Sequence, residues 1–413
     1  MQEQELRELA KEYLVPLFSG AEVAAASEPS TPRHKCVASG GLCRILFKVE
    51  PTDPYRLSLN RSQPFDQVSS SRLTEQGVVQ AFVDILREIS TGLSAPYRND
   101  LLSHLTRRVV AKALAPATAA KIVLAALDQL ADWSTRLYEG KPISTAFGFA
   151  QDGDGTGGKL ADFCSKDFAA LLGNGHDTLV VFDANGDLIS HEAVDTPAAA
   201  SFAPFRYAGI ASWAVDGRIV LVLNRLGEIL AFRDGRLVLA RRSAQWHLLT
   251  HEPVLTQMGR VDNQGLRLAV YESALDTSFA RTGACIGIVT SGNASRWKEV
   301  VTSIDDYMQP PSSVKATALN AMLKGRQFQQ LDRRLRQELL AIDGSTLVNH
   351  RGTILAIGAI LKISGGSSSG ARLAAAKALA KFGVGIKVSQ DGGILGFRGN
   401  APDPVFRIMC EVD

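Results

Sequence analysis

Two acidic turns bracket a Gly/Ser-rich loop in the last quarter of this chain, and these stretches hold residues with chemistry to perform. Asp343-Gly344-Ser345 comes first. Gly366, Ser367, Ser368, Ser369 and Gly370 follow, with Arg372 just beyond, and Ser389-Gln390-Asp391-Gly392-Gly393 closes the set. Glycines let backbone amides approach a ligand closely, and the serine hydroxyls add donors. A helix starting after such a loop aims its free first-turn N–H groups and the positive end of its dipole at an anion. Arg372 adds a planar fork that matches phosphate. Asp343 and Asp391 supply the oxygen ligands with which Mg²⁺ or Mn²⁺ is held against a triphosphate. The chemistry indicated is nucleotide binding and phosphoryl transfer. A structural reading stands beside it: Asp-Gly is a common hairpin signal, and a Gly/Ser loop is also a plain connection.

The elements that must position these residues follow from periodicity. Strand patterns cover 346–348, 353–363, 384–388 and 394–398, and a helical pattern covers 371–382. Each acid therefore sits at a strand end. Upstream, 266–279 reads as a helix with Leu268, Tyr271, Ala274 and Leu275 inward. The run 283–289 is almost wholly apolar, as expected of a central strand covered on both faces. Helical patterns at 298–308, 316–324 and 328–340 complete an α/β domain with a mixed sheet and helices on both sides.

This order of motifs resembles the diadenylate cyclase domain family. That family carries an Asp-Gly-Ala turn, matched by Asp343-Gly344-Ser345. Its Gly-Thr-Arg-His-Arg-Ala-Ala helix entry falls on Gly370-Ala371-Arg372-Leu373-Ala374-Ala375-Ala376. Its Val-Val-Ser-Glu-Glu segment falls on Lys387-Val388-Ser389-Gln390-Asp391. Tyr271-Glu272-Ser273-Ala274 and the strand from Gly283 resemble its first helix and first strand, so the resemblance spans about 262–410. Leu373 and Ala374 replace two residues of the basic motif, and Gln390 replaces the first Glu, as in a divergent branch. The resemblance implies a metal-dependent nucleotidyltransferase that condenses two ATP molecules into cyclic di-AMP. In it Asp343 would bind the metal and activate a 3′-hydroxyl, with Asp391 as second ligand, and Gly344, Ser345, Ser389, 366–370 and Arg372 would hold the nucleotide. It also implies a homo-oligomer with catalytic domains face to face. The alternative is a catalytically degenerate nucleotide-binding sensor or regulatory protein.

The rest of the chain is read as two further regions. Residues 1–142 form a helix-rich α/β region, with helical patterns at 2–14, 74–89, 99–114 and 118–137. Residues 175–260 are short strands and glycine turns, at 178–183, 188–194, 207–213, 219–223, 228–232 and 237–240. They end in the basic and aromatic stretch Arg241-Arg242-Ser243-Ala244-Gln245-Trp246-His247. By the same resemblance this α+β portion would be sensor-like. Gly153 to Lys159 fits the start of a phosphate-binding P-loop, but Leu160 stands where Ser or Thr belongs, and a surface loop is the simpler reading.

With 413 residues, 46% apolar and 21% charged, the composition is that of a globular chain of two or three domains. A net charge of +3 gives no case for nucleic acid as a bulk partner, and five cysteines without paired spacing suggest reduced thiols. The charged first fourteen residues are no signal peptide, and no uncharged apolar run reaches the ~18 residues of a membrane span. A cytoplasmic protein is expected.

Overall fold

The computed structural model describes residues 3–26, 36–39, 43–50, 53–66, 73–90, 100–116, 118–151, 153, 155–195, 202–259, 263–363 and 370–410. The chain divides into two compact units, Met1–Thr250 with Val412–Asp413, and His251–Glu411. Both combine helices with sheets, the second around one mixed sheet, so the α/β class holds.

In the first unit, four short strands (Ala21–Ala25, Leu57–Arg61, Arg44–Phe47 and Cys36–Ser39, in that order) form an antiparallel sheet. A seven-stranded sheet runs Gln245–Leu248, Arg236–Arg242, Ile229–Arg233, Ile219–Leu223, Thr145–Phe149, Thr178–Phe182, Leu188–Ala193. All its pairs are antiparallel except Thr145–Phe149 with Thr178–Phe182. The amphipathic helices Glu75–Ser90, Leu105–Leu114 and Ala120–Trp133 share one core cluster with this sheet, from Leu6 to Leu248. Trp133 meets Phe147 at 5.9 Å between ring centroids, and Phe147 meets Phe182 edge-on at 5.7 Å. The boundary expected between 142 and 175 thus falls inside a continuous core.

Buried charge in this unit is paired. Glu75, 2% exposed, takes two bonds from Arg61, at 2.5 and 2.7 Å. It also accepts from the Asp66 amide and the Thr250 hydroxyl, both at 2.6 Å. The basic stretch expected as a presented end is built in: Arg242 faces Glu228 at 3.1 Å, and Trp246 is 4% exposed. His247 is buried with no hydrogen-bond partner on Nδ1. Burial first, and the Arg242 charge second, push its imidazole down from 6.5 to about 4. Because the folded value lies below the unfolded one, the unfolded chain binds more protons between these limits. The stabilisation is complete above pH 6.5 and is lost as pH falls through that window, a change of about 3 kcal/mol. Urea titrations at about pH 7 and about pH 4.5 should show this extra acid sensitivity in the wild type and its absence in His247→Gln.

Two expected elements differ. Residues 207–213, read as a strand, form the helix Ala208–Trp213 after a Pro204-led turn, burying Ala208, Gly209, Ile210 and Ala211. The Gly153–Lys159 segment folds against the neighbouring hairpin: Lys159 pairs with Asp187 at 2.5 Å, and a Cβ on Gly155 would meet the Asp187 carbonyl at 2.6 Å. A lysine bound to an aspartate is not free to hold phosphate, and the surface-loop reading stands. Asp152 and Asp154 lie outside the described residues.

The second unit is built on a six-stranded sheet ordered Ile354–Ala359, Ser345–Asn349, Ala284–Val289, Gly383–Val388, Ile394–Arg398, Phe406–Ile408. Ala284–Val289 is parallel to Ser345–Asn349 and antiparallel to Gly383–Val388. The helix Ala371–Ala380 lies on one face, so close that a Cβ on Gly385 would fall 1.9 Å from the Ala376 carbonyl oxygen. Cys285 and Val289 face it, within one core cluster with Ala376 and Leu379. Ile286 and Ile288, buried on the alternate side, look toward the second layer formed by Gln264–Ala280 and Arg333–Ala341. Asn263 caps Gln264–Ala280 by accepting the Leu266 N–H at 3.0 Å. Its buried Asp276 receives Arg333 in two bonds of 2.6 and 2.9 Å, while Arg336 reaches Glu272 at 2.8 Å. Arg333→Ala strands Asp276 in the interior and is expected to cost about 3–5 kcal/mol in urea unfolding. Arg333→Met combined with Asp276→Leu should recover most of it.

Residues 298–308, expected as a helix, are two short 3-10 turns, Arg296–Glu299 and Ile304–Asp306, with extended bridges from Val301 to Leu361 and from Tyr307 to Ala356. The β-branched run Val300-Val301-Thr302 favours that extended form. The edge of the sheet at Ile354–Ala359 is covered by it.

Candidate functional site

Register brings the separated motifs to one edge of the sheet. Ser345 pairs with Cys285, Cys285 with Lys387, and Val388 with Ile394. Asp343 and Gly344, Gly283, Ser389 and the turn 390–393 therefore stand side by side. Arg372 joins them from the first turn of the Ala371–Ala380 helix.

Asp343 is exposed, and its Oδ1 accepts the Gly344 N–H at 3.1 Å. Gly344 has φ +108°, and a Cβ there would lie 2.5 Å from the Gly358 carbonyl carbon. Gly358 is also left-handed, at φ +63°, and a Cβ on it would meet the Asp343 carbonyl oxygen at 2.9 Å. The two glycines let the strands close back to back at an irregularity in their register, and the acid is turned out at the edge. Lys315 lies beside the same turn, its Nζ 3.7 Å from the Gly358 Cβ position, and forms an ion pair with Asp306. Asp306 in turn accepts the Ile360 N–H at 3.4 Å. Nothing in the sequence pattern marks Lys315 or Asp306, because only the long-range bridges of 301–307 bring them here.

Ser345 is buried behind the acid, where its hydroxyl hydrogen-bonds the Cys285 thiol. Burial pushes that thiol up to about 11, against the smaller opposing pulls of Ser345 and the Arg372 charge. Cys285 is thus a protonated, inert packing group at neutral pH.

Arg372 is half-buried, and its guanidinium lies over Gly283: a Cβ there would meet Nη1 at 3.1 Å and the Gln390 side chain at 3.3 Å. Among the described residues no protein acceptor bonds its donors. Gly370, at φ +92°, stands at the N-cap of the helix and has no side chain to cap it. Gly366, Ser367, Ser368 and Ser369 lie outside the described residues.

The last turn is self-contained. Ser389 N–H donates to the Gly393 carbonyl at 2.8 Å, Ser278 Oγ donates to the Gly392 carbonyl at 2.6 Å, and Arg281 bonds the Gln390 and Asp391 carbonyls. Asp391 Oδ1 accepts the Gly393 N–H at 3.2 Å. The strands carrying Asp343 and Asp391 are separated by Ala284–Val289, a span of about 10 Å or more. No cluster of three ligand-type side chains occurs among the described residues. Asp343 alone suits Mg²⁺, which takes one or two carboxylates and fills its shell with phosphate and water oxygens.

No family model and no curated protein matches the chain. Among solved structures it is similar to a double mutant of DacA from Staphylococcus aureus, with a TM-score of 0.23 and 16% identity, over 32% of this chain and 81% of that one. At that score the likeness carries no argument about activity, and the site rests on its own residues. No described helix is long and apolar enough to cross a membrane.

Proposed function

We propose that the His251–Glu411 unit is a nucleotidyltransferase of diadenylate cyclase type, which joins two ATP molecules into cyclic di-AMP or a related cyclic dinucleotide. One observation carries this reading. A half-buried guanidinium, Arg372, rests on a glycine at the sheet edge with no acceptor for its donors among the described residues, in line with an outward acid on a glycine-built turn. A half-buried cation with free donors favours an anion.

In this reading Asp343 would hold the metal, whose chemistry when bound would be to activate a 3′-hydroxyl and screen the triphosphate. That oxygen attacks the α-phosphorus of a second ATP, the bond to pyrophosphate breaks, and the hydroxyl proton passes to solvent. Arg372, Ser389 and the first-turn amides after Gly370 hold the nucleotide and offset charge on the transferring group. Asp391 contributes through its turn, which fixes Ser389. A single domain supplies half of the site, so a second copy must face it. The exposed Ile304, Val314 and Ile342, which flank Asp306, Lys315 and Asp343 in the chain, and Ile360, whose N–H bonds Asp306, give such a copy apolar surface to cover. The first unit would act as the sensor.

A second reading, a nucleotide-binding regulator without turnover, is favoured by Leu373. Where the family has a polar group, this side chain packs against the helix-side core. Pyrophosphate release separates the two. With ATP and Mg²⁺ or Mn²⁺, a cyclase releases one pyrophosphate per ATP consumed. Release of ADP and phosphate, or no release at all, contradicts the cyclase. ATP-dependent thermal stabilisation without pyrophosphate would leave the regulator.

A further inference from the structure

The opposite edge of the same sheet carries a cavity of about 350 Å³, within the ~300–1,000 Å³ of small-molecule sites. It lies where Ala284–Val289 ends and Gly383–Val388 begins, at the far end of the Ala371–Ala380 helix, about 14 Å along that helix from Arg372. Its two charged lining residues, Lys381 and Arg398, are both cations, and no acid lines it. Neither forms an ion pair among the described residues.

The walls are fixed by hydrogen bonds among uncharged groups. Asn293 Nδ2 donates to Thr290 Oγ1 at 3.2 Å and to the Phe382 carbonyl at 3.1 Å, and Thr290 Oγ1 donates to that carbonyl at 3.0 Å. The Ala380 carbonyl is taken by the Gly399 N–H at 2.9 Å. Arg398 is positioned by the backbone: Nη1 donates to the Gln257 carbonyl at 3.3 Å. Its guanidinium occupies the space where a Cβ of Gly259 would come within 2.0 Å of it. A glycine with φ +64° is what admits it.

From this arrangement we infer a second anion site, which binds a compact dianion, a phosphate monoester or a small dicarboxylate, between Lys381 and Arg398. Two cations held at one cavity repel each other, and a doubly charged oxyanion relieves that repulsion while taking the arginine fork. The inference does not depend on the activity proposed above.

Calorimetric titration of the full chain at low salt with inorganic phosphate, glycerol 3-phosphate and malonate tests it. In an Arg372→Ala background, which removes the anion group proposed above, binding is expected and is weakened about tenfold or more by Lys381→Ala and by Arg398→Ala. Both variants alter exposed side chains, and unchanged melting temperatures in anion-free buffer confirm that they fold. The arm that binds tightest tells phosphate ester from dicarboxylate. In that background, heat absent up to about 10 mM of every probe, or an affinity unchanged by the Lys381→Ala/Arg398→Ala double variant, would each overturn the site.

Discussion

Asp343→Asn is expected to abolish cyclic dinucleotide formation while leaving the fold intact. The substitution keeps size and the turn: the amide oxygen still accepts the Gly344 N–H now received at 3.1 Å. What it removes is the negative charge that anchors the metal. Metal activation of a hydroxyl is worth several kcal/mol, so turnover should fall by about 10³-fold or more. The melting temperature should hardly move, because Asp343 is exposed and forms no ion pair among the described residues. A variant that turns over ATP at the wild-type rate would remove Asp343 from the chemistry.

Arg372→Ala has the second-largest expected effect. The guanidinium would act on charge that develops around the transferring phosphorus, and removing one such donor costs about 10²–10³-fold in turnover. Arg372→Lys should recover part of this, since a point charge keeps the attraction and loses the fork. Stability should change by less than about 0.5 kcal/mol, because the side chain is half-buried and bonds no described protein acceptor. Steady-state rates with ATP, beside urea unfolding of both variants, distinguish this from a packing role, in which stability falls and the residual rate does not.

Much of the second unit is legible in sequence because its elements obey one period each. The apolar run at 283–289 and the pairing of 384–388 with 394–398 follow from alternation and a glycine turn, and the Ala371–Ala380 helix follows from the helical pattern at 371–382. The strand Thr145–Phe149 escapes because it is buried at every position and carries Ala146 and Gly148, which leaves no alternation to read. Phe406–Ile408 is too short to announce itself. The reading of 298–308 as a helix fails because its apolar residues are buried by strand-like bridges to 356 and 361 that only the tertiary fold supplies.

For the site, Asp343, Gly344, Ser345, Arg372 and Ser389 can be named from residue type and order. Their meeting at one edge depends on register, which a sequence does not display. The pairing of Gly344 with Gly358, the seat of Arg372 on Gly283 and the approach of Lys315 are of that kind. So is the placing of Ala284–Val289 between the strands that lead to Asp343 and to Asp391.

The most direct measurement is mass spectrometry of the products that full-length protein forms from ATP with Mg²⁺ or Mn²⁺, with Asp343→Asn alongside. The account predicts a cyclic dinucleotide from the wild type and none from the variant. Absence of any dinucleotide from a folded wild-type protein, with no thermal stabilisation by ATP, would contradict it.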